Sequence, residues 1–238
     1  MALSCLQIIQ TVCRRIGITA PNAAVGSTDP QIIQLLSISE EEGQEQADRY
    51  AWQALQTEAV FTTVAAQVQG AMSTIAPNCD YIVNDTIWNR TLRRPVYGPR
   101  TEQDWQQDVA LAINGPFNSY RVVNDQLNFY PIPVAGQTCA FEYITRNWIN
   151  TSTLMTSSIW TNDADTPKIS DQLIILGTIW RWKAIKGLDY AEDFAKYERR
   201  IADAMGRDSS KPTLSMSGQS TYEIQPVVAV PRGSWGAS

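Results

Sequence analysis

The sequence predicts an α+β fold: mainly a helical bundle, with a small β-rich unit inserted into it and an extended arm at the C-terminus. Three observations predict this. Apolar residues recur at helical spacing at both ends of residues 1–208, the spacing that lays a stripe along one helix face. Between about residues 58 and 168 the pattern shifts to short alternating runs broken by Gly, Pro and Asn, which is how strands and hairpins read. After Asp208 the chain is rich in Ser, Gly and Pro yet keeps Tyr222, Ile224, Val227, Val228, Val230 and Trp235, residues that a solvated linker does not need.

The first helix is expected over Leu3–Ile16, with Cys5, Ile9, Val12, Cys13 and Ile16 on one face and Gly17 as its stop. Asp29 and Pro30 read as N-cap and first turn of a second helix. Its apolar spacing runs to about Leu55; Ser39 with Glu42 offers a capping-box break, but Gly43 and the neighbouring alanines favour one continuous helix with a close crossing.

Residues 59–70 alternate like a strand. Asp80–Val83 reads as a turn, and DTIWNRT at 85–91 as a strand. Thr101 caps a helix to about Ile113. Tyr120–Val123 and Leu127–Tyr130 form a hairpin about Asn124-Asp125, Gln137–Thr145 supplies another strand, and 147–168 is loop-like. Asp171–Gly206 is a helical pair. The domain reading is therefore 1–57 with 169–208 as the bundle, 58–168 as the inserted unit, and 209–238 as a docking tail.

Composition narrows the chemistry. The 238 residues contain no histidine, which removes Ser-His-Asp and Cys-His catalysis and every His-containing zinc site. Cys5, Cys13, Cys79 and Cys139 are scattered without CxxC spacing and read as free buried thiols. The N-terminus reads as a first helix and not as a signal peptide. The triplets at Asn84, Asn89 and Asn150 are then not glycosylation sites. No apolar run approaches the length that crosses a bilayer, and no cofactor or metal site is expected.

The net charge of −5 is uneven: −5 over residues 1–80 (3 Lys/Arg, 8 Asp/Glu), −2 over 81–166 (6 and 8) and +2 over 167–238 (10 and 8). No basic stripe tracks a phosphate backbone, so tight nucleic-acid binding is not expected. Arg90, Arg93, Arg94 and Arg100 with Trp88 and Tyr97 form the densest basic cluster, read as pairing with acids or touching a neighbour. Among consecutive Trp180, Arg181, Trp182 and Lys183, Trp180 belongs to the apolar stripe and Trp182 faces elsewhere. Glu40–Glu42, Glu45 and Asp48 read as a solvated face or subunit contact. Asp163 and Asp165 are the best carboxylate pair for a glycosidase-type reaction, but their TNDADTP setting is turn chemistry.

Three stretches carry a resemblance: SISEEEGQEQADRYAWQALQTE, YIVNDTIWNRTLRRPVYGPRTEQDW and LGTIWRWKAIKGLDYAEDFAKYERRIADA, with the hairpin YRVVNDQLNFYP and AFEYITRNW beside them. They resemble the head-to-tail adaptor (connector) proteins of short-tailed bacteriophages, over roughly residues 3–208. The resemblance implies a ring, typically of twelve copies, beneath the portal protein of the virion. It also implies a platform for tail or nozzle proteins and a lumen that double-stranded DNA passes with weak contact. Assembly would take place in the host cytoplasm, without a membrane. On that reading Tyr222, Ile224, Val227, Val228, Val230 and Trp235 anchor the tail to the portal, and Glu41, Glu45, Arg49, Arg93, Arg94 and Trp182 serve subunit contacts. The alternatives are a tail tubular or other distal tail component, a virion-borne carboxylate glycosidase, or a DNA-binding module built on Arg90–Arg100.

Overall fold

Helix α1 (Cys5–Ile16) begins where Ser4 and Gln7 close a reciprocal capping box and ends at Gly17, whose φ of 80° supplies the left-handed cap. The computed structural model describes residues 2–111 and 115–208. Helix α2 (Pro30–Arg49) starts as expected, with the Asp29 carboxylate accepting from Gln31 N–H at 2.8 Å. It runs unbroken through Ser39. There the hydroxyl donates to Leu36 C=O at 2.7 Å and accepts from the Trp160 indole at 3.0 Å, so it cannot cap a new start. The helix stops at Arg49, short of Leu55, because Tyr50 turns extended and the Trp52 indole donates to Gln46 C=O at 2.7 Å, satisfying a terminal carbonyl.

The strands follow as β1 (Gln56–Thr62) and β2 (Val68–Ala71), then the single-turn helix α3 (Met72–Ile75) and β3 (Cys79–Ile82). Residues 80–83, expected as a turn, thus lie largely in a strand. It survives because β8 (Thr138–Thr145) supplies its hydrogen bonds, with a register shift between Cys79 and Tyr81. The expected strand over 85–91 contracts to β4 (Trp88–Asn89), which turns back on β5 (Arg94–Pro95). Helix α4 (Glu102–Ala110) is capped by Thr101. The hairpin of β6 (Ser119–Val123) and β7 (Gln126–Tyr130) turns at Asn124 and Asp125, both at positive φ (52° and 59°), as a two-residue primed turn requires.

β8 organises the main sheet: β1 pairs along its whole length on one edge, while β3 and β4 share the other. β2, β7 and β6 form a second antiparallel sheet. The run 147–168, expected to be loop, contains a third. β9 (Ile149–Asn150) is flanked by β10 (Thr156–Ser157) and β11 (Thr166–Pro167). Helices α5 (Asp171–Ile185) and α6 (Ala191–Asp208) complete the described chain.

The described residues form a mixed α+β fold with two apolar cores. One lies among the helices, where α1, α2 and α6 all pack on α5. It is built from Ile8, Ile9, Leu35, Ile174 and Tyr197, among others, and also takes in Trp148 and Trp160 from the 147–168 run. The other lies among the strands, around Leu127, Phe129 and Phe141. Burial pushes the thiol of Cys139 up to about 11 and raises those of Cys5 and Cys13, so the buried cysteines behave as small apolar residues. Asn89 is buried, with its side-chain amide donating to Gln137, and a glycan there would have no space. No helix among the described residues is long and apolar enough to cross a membrane.

Candidate assembly surfaces

The most constrained polar site lies where α2 crosses α5. Gly177 sits so close to Glu42 that a Cβ there would overlap its carboxylate, and Glu42 is completely buried. A buried carboxylate requires compensation. Arg181, one turn further along α5, donates from Nε to Glu42 at 2.7 Å, and Gln46 donates to the other oxygen at 2.6 Å. Arg181 then fans outward, to Glu41 at 3.0 Å and to Glu45, and its guanidinium stacks 4.7 Å from the Trp180 ring. Burial pushes the Glu42 carboxyl up, and the bonds from Arg181 and Gln46 pull against it. Tyr197 is fully buried beside Glu42, and burial and the neighbouring carboxylate both push its hydroxyl pKa up.

The expected contact residues can now be placed. Glu41 and Glu45 are exposed acids held by Arg181. Arg49 makes a two-pronged pair with Glu198 of α6, at 2.8 and 2.6 Å. Arg94 donates to Pro116 C=O and lies over Phe117; Arg93 occupies the left-handed region at φ 56°. Neither arginine has a carboxylate within ion-pair distance among the described residues, whereas Arg90 pairs with Glu58 and Arg100 with Asp108. Trp180 is half-buried against Tyr190, Phe194 and Tyr197. Trp182 is half-buried too, with Lys186 over its ring. Tyr222, Ile224, Val227, Val228, Val230 and Trp235 lie outside the described residues.

Asp163 and Asp165 read as turn chemistry, which holds within the loop, but their reach to distant elements did not read. Asp165 is fully buried and accepts from Ser152 N–H, from Thr161 N–H and hydroxyl, and from Asn162 N–H, all at 2.8–2.9 Å. Asp163 accepts from Ala24 and Val25 N–H. The main chain of the same loop takes Cys5 N–H on Asp165 C=O and Leu6 N–H on Asp163 C=O. These acids staple the first helix and the 24–25 loop to the far end of the chain; main-chain donors occupy the carboxylates that a glycosidase would need. The signal available in the sequence was the Asn-Asp-Ala-Asp spacing itself, which is typical of side chains folding back onto backbone N–H groups.

Burial alone would raise the Asp165 carboxyl, but its four donors outweigh burial and hold it below the usual carboxylate value of 3.8. A depressed folded-state value means that this stability is complete above about pH 4 and is lost as pH falls through the folded value. Asp165→Asn is therefore expected to cost about 2–4 kcal/mol at neutral pH. The gap to the parent protein should close below pH 4 in urea unfolding series; a gap of constant size down to pH 2 would contradict the charge-based account.

The two completely buried carboxylates among the described residues, Glu42 and Asp165, both join elements of the chain's own fold. A family model described as SU10 adaptor protein matches residues 3–221. The chain belongs to the SU10 adaptor protein family; it is a phage structural adaptor. A search of curated proteins found no match.

Proposed function

We propose that this chain joins the phage head to its tail as a closed ring of twelve copies seated below the portal protein. The observation that carries this reading is the family match over residues 3–221, nearly the whole chain. In this role the ring extends the DNA channel, helps retain packaged double-stranded DNA with weak contact, and presents a platform to tail or nozzle proteins. Its net charge of −5 suits a lumen through which DNA slides instead of binding.

Copies would pack by a heterologous contact that closes into a ring. Glu41, Glu45, Arg49, Arg93, Arg94 and Trp182 are the proposed contact residues. Arg93 and Arg94 are the strongest of them, because no carboxylate holds either within the described chain. The tail would add a strand to the portal through Tyr222, Ile224, Val227, Val228, Val230 and Trp235, gaining main-chain hydrogen bonds as well as side-chain burial, and repetition around the ring would add avidity.

Sedimentation of the chain mixed with the portal ring of the same phage tests this. Stoichiometric co-migration is expected, abolished by deleting residues 221–238. Co-migration that survives the deletion would remove the tail's role. No association with the portal at any salt concentration would reassign the chain to a more distal tail layer.

A further inference from the structure

An open groove of about 520 Å³ runs between the end of α1, the start of α5 and the length of α6. Five cationic side chains line it: Arg15, Lys168, Lys196, Arg200 and Arg207. The lone acid is Asp208, whose carboxylate already accepts from Gln53 N–H at 2.9 Å. Among the described residues, none of the five cations lies within ion-pair distance of a carboxylate. Elsewhere Arg49, Arg90, Arg100, Arg121, Arg146, Arg181 and Lys183 each meet an acid, and the unpaired Arg93 and Arg94 lie on the strand-rich part of the chain. Five unpaired cations gathered in one depression of an acidic chain hold a local positive potential at a cost in self-repulsion.

Apolar side chains share the lining: Trp52, Ile169, Leu173 and Leu176, each largely buried, with the smaller Ala54 and Ala204, beside Ser170 and Gln172. Lys168 is half-buried at the groove's edge, and loss of solvent lowers its ammonium pKa, so an incoming anion would restore lost solvation. A phosphate backbone needs cations but gains nothing from the side chains of Leu and Trp. A polypeptide whose acidic side chains alternate with apolar ones satisfies both features: apolar groups reach the apolar lining and carboxylates meet the cations.

We infer that this groove is a docking site for an acidic, apolar-bearing segment of a partner protein. It stands on the groove's own chemistry and is separate from portal capture by residues 221–238, so the sedimentation experiment above can fail without touching it.

The test uses the full-length protein and a fluorescent peptide of about eight residues alternating Glu and Leu, followed by anisotropy. Saturable binding that weakens with added salt is expected. Lys196→Gln combined with Arg200→Gln, both exposed and unpaired, should weaken it about tenfold, while Arg146→Gln, away from the groove, should leave it unchanged. A peptide alternating Glu and Ser should bind about tenfold more weakly, since it cannot use the apolar lining. The inference falls if the Glu-Leu peptide does not bind at low salt, or if the Glu-Ser peptide binds as well. Displacement by a short duplex DNA would mean a phosphate site instead. If the double substitution lowers the sedimenting mass of the protein alone, the occupant is a second copy of this chain, and a foreign partner is ruled out.

Discussion

Arg181→Met is expected to lower the unfolding free energy by about 3–5 kcal/mol, the cost of leaving a buried carboxylate without its counter-charge. For a chain of this size that corresponds to a fall of about 6–20 °C in Tm. The reasoning is local. Glu42 is completely buried; of the two side chains that hydrogen-bond it, only Arg181 brings charge. Gln46 cannot replace that charge, and Gly177 leaves no space for the carboxylate to swing away. Combining Arg181→Met with Glu42→Gln removes both charges and should recover most of the loss, because the penalty lies in the unpaired charge and not in the absent contact. Equal instability of the single and double variants in thermal unfolding would show that Arg181 acts through packing on Trp180 instead.

Gly43→Ala should be nearly as damaging, at about 2–4 kcal/mol, above most overpacking substitutions. A Cβ at position 43 would fall inside the Trp148 indole. That ring has no freedom to retreat: it is fully buried, its N–H donates to Ser158 C=O at 3.0 Å, and Trp160 meets it edge-on at 5.0 Å between centroids. Trp148→Leu in the Gly43→Ala background should restore part of the stability even though Trp148→Leu alone is destabilising. Additive losses in urea unfolding would contradict the proposed clash, since two residues in contact ought to couple.

These two sites also show where the sequence is legible. Features set within a few residues read correctly: Gly17 closes α1, Asp29 and Pro30 open α2, and Asn124-Asp125 turns the hairpin, each because a local backbone demand selects the residue type. Gly43 reads as the site of a close helix crossing, but its close neighbour is Trp148, from a run that reads as loop. Features set by distant partners did not read. The continuity of α2 past Ser39 and Glu42 read correctly, but not their partners: Trp160 claims the hydroxyl and Arg181 the carboxylate from more than 100 residues away. Residues 80–82 read as a turn because their strand character comes from β8. The basic groove is invisible for the same reason: Arg15, Lys168 and Arg200 have no proximity until α1, α5 and α6 are packed.

The stapling of Cys5 and Leu6 to the 163–165 loop, and of α1 onto α5, bears on synthesis as well as on stability. The apolar face of α1 packs lightly on α2 and finds most of its cover when residues 171–185 have left the ribosome. At about 5–20 residues per second, that leaves the first helix waiting on the order of 10–30 s with Ile8, Ile9 and Val12 incompletely covered. The helical layer therefore cannot mature from the N-terminus forward. A nascent chain stalled before Asp171 should remain protease-sensitive and bound by chaperones, whereas one released past Ile201 should acquire its protection in a single step.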